Sequence, residues 1–125
     1  AYCHALDARD WDRFVSLFVE SAEFDYSDFD GPVCGLQEIA EYLRTIMSSM
    51  SASLHTVSTT SISLSGSTAT AYSAGMVYLV PLPGGAEGAV VNVGLWYSDE
   101  FVKGRQGWQF SKRRQKKALM FVAQG

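Results

Sequence analysis

The chain has no long hydrophobic run, little charge and few of the side chains that usually carry chemistry. Its longest apolar stretch, Met76 to Val80 with Pro81 and Leu82 behind it, is far too short to span a bilayer. No membrane partner is expected. Charged residues make up only 18% of the chain and the net charge is −3, so broad electrostatic attraction to nucleic acid is not expected either. The two cysteines, Cys3 and Cys34, are widely spaced and form no C-x-x-C pair, which excludes a zinc ribbon or a thioredoxin-like motif. They read as reduced thiols of a cytoplasmic protein, with a single bridge as the alternative. No P-loop, G-x-S-x-G or H-E-x-x-H occurs, so phosphate-binding, serine-hydrolase and zinc-protease mechanisms fail at the first test. No internal repeat or low-complexity tract is present. The chain starts at Ala1 rather than at a methionine, which implies trimming and leaves room for a lost targeting segment.

What is present suits one compact domain. The 125 residues, 47% of them hydrophobic, match a single core and can bury roughly two-thirds of the unfolded surface. Tyr2 to Asp7 reads as the end of a helix. Asp10 is a plausible N-cap for a second one, with Trp11, Phe14, Val15 and Phe18 on one stripe. Glu23 to Ser27 alternates like a short strand, and Asp30-Gly31-Pro32 with Gly35 punctuates a loop. Ile39, Tyr42, Leu43, Ile46, Met47 and Met50 mark the clearest helix. Beyond Leu54 the period drops to two, predicting strands at about 54–64, 68–80, 89–103 and 107–122. Ser65-Gly66-Ser67 and residues 103–107 form the hairpin connections. Pro81-Leu82-Pro83-Gly84-Gly85 is a longer turn able to lean over a cavity mouth. Helices followed by long antiparallel strands indicate α+β, with the N-terminal helices packed on a curved sheet that encloses a pocket.

Few ionisable side chains compete for a role. Of the two histidines, His4 and His55, the second stands at the start of the first long strand, where an imidazole can exchange a proton near neutral pH. A core or surface histidine bonded to backbone is the plainer reading. Asp7 is either an exposed helix-end acid or a carboxylate inside the cone. Tyr26 is either an ordinary strand aromatic or a phenol that polarises a substrate carbonyl. Lys112-Arg113-Arg114-Gln115-Lys116-Lys117 reads as a solvated strand end that discourages edge pairing, with binding to an acidic protein or nucleic acid, or Arg113 or Arg114 turned toward the pocket mouth, as the alternatives. Trp11, Phe14, Phe18, Trp96, Trp108 and Phe110 read as core or subunit interface.

Leu6-Asp7-Ala8-Arg9-Asp10-Trp11-Asp12-Arg13 followed by Phe24-Asp25-Tyr26-Ser27-Asp28-Phe29 resembles the entry to the scytalone dehydratase family. More broadly it resembles the SnoaL-like group of the nuclear-transport-factor-2-like superfamily. Gly35 to Ile39 opening the long helix, His55 entering the sheet and Trp108-Gln109-Phe110 in the last strand keep the same order. The resemblance implies a cystatin-like cone whose pocket works without metal or organic cofactor. It implies that Asp7 supports His55 as acid and base, while Tyr26 contacts the carbonyl side of the substrate through water. Tyr72, Asn92, Phe29, Met47, Met76 and Trp96 are the expected substrate contacts.

The departures from that family are as informative. The second pocket histidine has no counterpart between Tyr72 and Leu79, Leu6 stands where the family carries tyrosine, and Val91 and Val93 replace a serine and an asparagine. Asn92 is one place out of register and turns to the other face unless a bulge intervenes. These changes argue against scytalone itself. They favour dehydration, cyclisation or isomerisation of a polyketide-, terpenoid- or steroid-like molecule. A limonene-type epoxide hydrolase needs an Asp-Arg-Asp set in the sheet, and residues 54–98 contain neither Arg nor Asp. A ketosteroid-isomerase pattern is only partly imitated by Asp7, Tyr26 and Tyr72. A non-catalytic ligand carrier and a protein-association module are the alternatives on this fold. By resemblance, strand-face association into a homodimer or homotrimer is expected.

Overall fold

The computed structural model describes residues 1–83 and 88–124. The elements run α1 (Tyr2–Asp7), α2 (Trp11–Ser16), β1 (Phe18–Asp25), a 3-10 turn (Ser27–Phe29), β2 (Val33–Gly35), α3 (Leu36–Ser48), β3 (Met50–Ser65), β4 (Thr68–Pro81), β5 (Ala89–Gly104) and β6 (Gly107–Gln124). They form one six-stranded sheet in the order β2-β1-β6-β5-β4-β3. Among the described residues, no helix is long and apolar enough to cross a membrane. The Pro81–Gly85 turn falls partly outside the described residues, at Gly84 and Gly85.

Each element follows from its local chemistry. Asp10 caps α2 by accepting from the Arg13 N–H at 3.1 Å. The helix stops at Ser16, so Phe18 enters β1 instead of extending the helical stripe. β1 therefore starts earlier than Glu23, and Tyr26 and Ser27 lie past its end. On α3, Leu36, Ile39, Ala40, Leu43 and Met47 are buried, the i, i+3, i+4 spacing of one face, while Met50 opens β3 rather than closing the helix. The sheet is not antiparallel throughout. β1 runs parallel to β6, pairing Phe24 with Arg113, whereas every other pairing is antiparallel. Register shifts between Ser58 and Thr60, between Gly94 and Leu95, and between Glu100 and Phe101 bend the long strands.

One face of the sheet carries the helices and the core. Phe18 lies between Phe14, Phe24 and Phe110, at ring separations of 5.1, 4.8 and 4.9 Å. The inward positions of β4 include Ala69, Ala71, Ser73 and Gly75. A Cβ on Gly75 would come within 2.8 Å of the Tyr97 ring, so this glycine is what lets Tyr97 lie across the neighbouring strand. Tyr97 itself is 1% exposed.

Arg113 is buried in this layer rather than solvated with the other basic residues around it. It donates to both Asp99 oxygens, at 2.8 and 3.1 Å, and its guanidinium carbon lies 3.7 Å from the Tyr97 ring centre and 4.2 Å from that of Tyr2. Arg114 points outward, 3.8 Å from Asp25. A buried pair contributes little beyond an apolar one, but removing one partner strands a charge. Asp99→Ala is therefore expected to cost roughly 3–5 kcal/mol of folding free energy. The check is the urea unfolding midpoint, which must fall well below that of Glu100→Ala, an exposed change on the same strand.

Candidate active site

Asp7 is the last residue of α1, where the chain breaks through Ala8 and a left-handed Arg9 (φ 57°) before α2 begins. The break aims its carboxylate at β3. There Ser53 and His55, two residues apart and so on one face of the strand, both reach it. The His55 backbone N–H donates to Asp7 Oδ2 at 2.8 Å. His55 Nδ1 lies 2.6 Å from Asp7 Oδ1, and the Ser53 hydroxyl donates to the same oxygen at 2.8 Å. A carboxylate can only accept, so Nδ1 carries the imidazole proton and Nε2 keeps its lone pair. Nε2 has no hydrogen-bond partner among the described residues.

The two groups are tuned in complementary ways. Burial opposes the Asp7 charge most strongly, but the His55 N–H, the His55 ring and the Ser53 hydroxyl together outweigh it and hold the carboxyl below its ordinary range. Burial is also the main influence on His55; it depresses the imidazole below 6.5 although Asp7 pulls it upward. The resting pair at neutral pH is thus a carboxylate beside a neutral imidazole.

The imidazole borders a cavity of about 200 Å³ between α3 and the sheet. Phe29, Leu43, Ile46, Met47, Val77, Leu79, Val93, Leu95 and Met120 give it an apolar wall, with Tyr26, Tyr42 and Gln115 as the other polar members. Of the expected site residues, the fold brings Asp7, His55, Tyr26, Phe29 and Met47 to this place. The Tyr26 hydroxyl shares a 2.8 Å hydrogen bond with that of Tyr2, in which either can donate, and burial keeps the phenol protonated. On its other side His55 borders a wider, open trough of about 730 Å³, in which Ile62 and Leu64 are 63% and 72% exposed. The smaller cavity is the better candidate because it gathers Tyr26, Phe29 and Met47 around the imidazole, which the trough does not.

Four expected contacts lie elsewhere. Tyr72, Met76, Asn92 and Trp96 occupy the sheet face turned away from the helices. Inward positions on β4 and β5 are those of Val77, Val93, Leu95 and Tyr97, and the β4–β5 register runs unbroken from Thr68/Val102 to Leu79/Val91. No bulge there returns the alternate residues to the cavity. Tyr72 instead stacks on Trp96, with ring centres 4.9 Å apart and planes 5° from parallel, and Asn92 donates to the Val90 carbonyl of its own strand. Residue type alone did not single out Ser53, Tyr2 or Gln115. Position i−2 from His55 was the available signal for Ser53. Cys3 and Cys34 are free, and among the described residues no cluster of three or more His, Cys, Asp or Glu side chains could hold a metal ion.

Comparisons with known proteins agree with this architecture. An uncharacterised protein of Mycobacterium tuberculosis is 27% identical over 119 residues, covering 94% of this chain and 79% of its own length. A candidate aromatic ring hydroxylase from Novosphingobium aromaticivorans superposes with a TM-score of 0.85 at 26% identity, covering all of this chain and 86% of its own. A candidate scytalone dehydratase from the same organism gives 0.85 at 21% identity, covering 99% and 81%. A hexachlorocyclohexane dehydrochlorinase from Novosphingobium barchaimii gives 0.83 at 14% identity, covering 99% and 84%. The last two likenesses are of fold. The model of the SnoaL-like domain matches residues 1–114, and with its helices on a curved six-stranded sheet the chain belongs to the SnoaL-like domain family.

Proposed function

We propose that the cavity takes a small, largely apolar organic molecule and that His55, held by Asp7, is the acid/base of a cofactor-independent elimination, cyclisation or isomerisation. The observation that carries this reading is the 2.6 Å contact between Nδ1 and the carboxylate, with Nε2 free of partners among the described residues and the ring in the wall of an apolar cavity. Nε2 takes a proton from a carbon next to an electron-withdrawing or leaving group, and Asp7 stabilises the imidazolium that forms. The imidazolium then returns the proton to the departing group or to another carbon of the same substrate. With the Tyr26 hydroxyl tied to Tyr2, His55 is the group best suited to serve both steps. The names of two fold neighbours, a candidate dehydratase and a dehydrochlorinase, denote eliminations and support this class. The apolar wall suits a polyketide- or terpenoid-like skeleton with one or two polar substituents, and the volume of about 200 Å³ favours a compact one over a steroid.

Mass spectrometry of small molecules co-purifying with the protein supplies the test ligand. His55→Ala is expected to bind it normally and to lose about 10²–10⁴-fold in turnover. Full turnover in that variant would eliminate the mechanism; a ligand left unaltered by the unmodified protein would instead make the domain a carrier.

The pH dependence has a definite sign. His55 must be neutral to act as base, and its folded titration point is depressed below 6.5. The rate at low substrate should therefore be flat from neutral pH upward and fall as pH drops through that depressed value. Asp7→Asn removes the charge that supports the imidazolium, so NMR titration of His55 should show its midpoint moving lower still.

A further inference from the structure

The geometry points to Arg9 and Ser53 as a positioning chain that holds the Asp7 carboxylate, and through it the His55 ring, in a single orientation. The inference rests on the acid/base reading of Asp7 and His55 and concerns residues that touch neither the cavity nor its ligand.

The direction of the hydrogen bonds sets the order of the chain. Arg9 Nη1 lies 2.7 Å from Ser53 Oγ, and Ser53 Oγ lies 2.8 Å from Asp7 Oδ1. A guanidinium can only donate, so the serine oxygen must accept from it. Its single proton is then committed to the carboxylate. Without Arg9, that hydroxyl could rotate and donate elsewhere; with it, the order arginine to serine to carboxylate is the only one allowed. Arg9 is itself anchored by the same nitrogen donating to the Leu6 carbonyl at 2.9 Å, with the Asp7 carbonyl at 3.4 Å. Both carbonyls belong to the end of α1, so the chain ties the last turn of the helix to the strand bearing the imidazole.

The backbone supports the same assignment. Arg9 has φ 57°, a left-handed conformation that a non-glycine residue adopts at a cost, and glycine would fit there without strain. For the backbone alone, glycine serves the turn better than arginine. What arginine adds is a side chain that bonds the helix-end carbonyls and reaches Ser53. The charged groups bearing on the imidazole are Asp7 from α1, Arg9 from the turn and Arg113 from β6; the two cations oppose its protonation while Asp7 favours it.

The test uses the whole protein labelled with ¹⁵N-histidine, comparing Ser53→Ala, Ser53→Thr, Arg9→Gly and Asp7→Asn. Ser53→Ala and Arg9→Gly are each expected to lower the ratio of the Nδ1–H to the Nε2–H form of His55 about fivefold, the worth of one hydrogen bond. Ser53→Thr, which keeps the hydroxyl, should restore it. Arg9→Gly trades its hydrogen bonds against relief of the left-handed backbone, so its unfolding temperature should stay close to that of the unmodified protein, and its His55 midpoint should move up because a neighbouring positive charge is gone. Unchanged tautomer ratios in both Ser53→Ala and Arg9→Gly would overturn the proposal. So would a loss of thermal stability in Ser53→Ala unaccompanied by any tautomer change. Asp7→Asn separates the two layers. A retained Nδ1–H preference there would sink the Asp7–His55 pair itself, whereas its loss beside unaffected Ser53 and Arg9 variants would sink only the chain.

Discussion

The structure turns on one carboxylate that joins a helix to the edge of a sheet. β3 is the outermost strand, and on its open side the backbone N–H of His55 has no strand to pair with. Asp7 accepts that N–H through one oxygen and the Ser53 hydroxyl and His55 ring through the other. An acid at the C-terminal end of a helix faces the negative end of the helix dipole and is poorly placed by that measure alone. Three hydrogen bonds from β3 offset the misplacement and meet an edge donor that would otherwise rely on water. The contact that docks α1 on the sheet is therefore also the one that orients the imidazole.

A second constraint lies deeper and depends on a bulge. If β5 and β6 paired without interruption from the Gly104/Gly107 turn, Asp99 would stand opposite Lys112. The register shift between Glu100 and Phe101 moves the pairing by one residue and places Arg113 there instead. A planar guanidinium can use both carboxylate oxygens and lie flat against Tyr97, which an ammonium cannot. The shift between Gly94 and Leu95 does the same for the cavity, bringing Met120 rather than Leu119 opposite Val93. Two single-residue slips thus decide which member of a basic run is buried and which side chain closes the cavity. Neither slip leaves a mark in composition or periodicity.

This explains which features were legible beforehand. The α+β class, the α3 stripe and four long strands follow from periodicity and lie within a few residues of their expected places. Asp7, His55, Tyr26, Phe29 and Met47 converge because each is tied to an element boundary or a helical stripe. Tyr72, Met76, Asn92 and Trp96 do not, and β4 shows why. Its inward positions hold Ala69, Ala71, Ser73 and Gly75, while its bulky Tyr72, Met76 and Tyr78 point outward. A reader who assigns the large residues to the interior takes the wrong face. Gly75 is small because the Tyr97 ring occupies the space a Cβ would take, a demand made by a distant part of the chain, while Ala69, Ala71 and Ser73 floor the wide trough. Tyr26 converges for a partly different reason than its phenol suggests, since that hydroxyl also bonds Tyr2.

The apolar wall has one further consequence for the chemistry the site can serve. Burial keeps His55 neutral, which readies it to accept a proton, but the same burial makes it a weaker base than an imidazole in water. In the proposed reaction Asp7 restores part of that strength as the proton arrives, when a carboxylate–imidazolium pair forms with less water around it than in free solution. The stabilisation is thus larger in the transition state than at rest, the condition for a faster chemical step. A wall of Leu, Val, Ile and Met offers little to a full negative charge on the substrate. Reactions in which charge is dispersed or leaves as the proton is taken fit such a site better than those that must store an enolate.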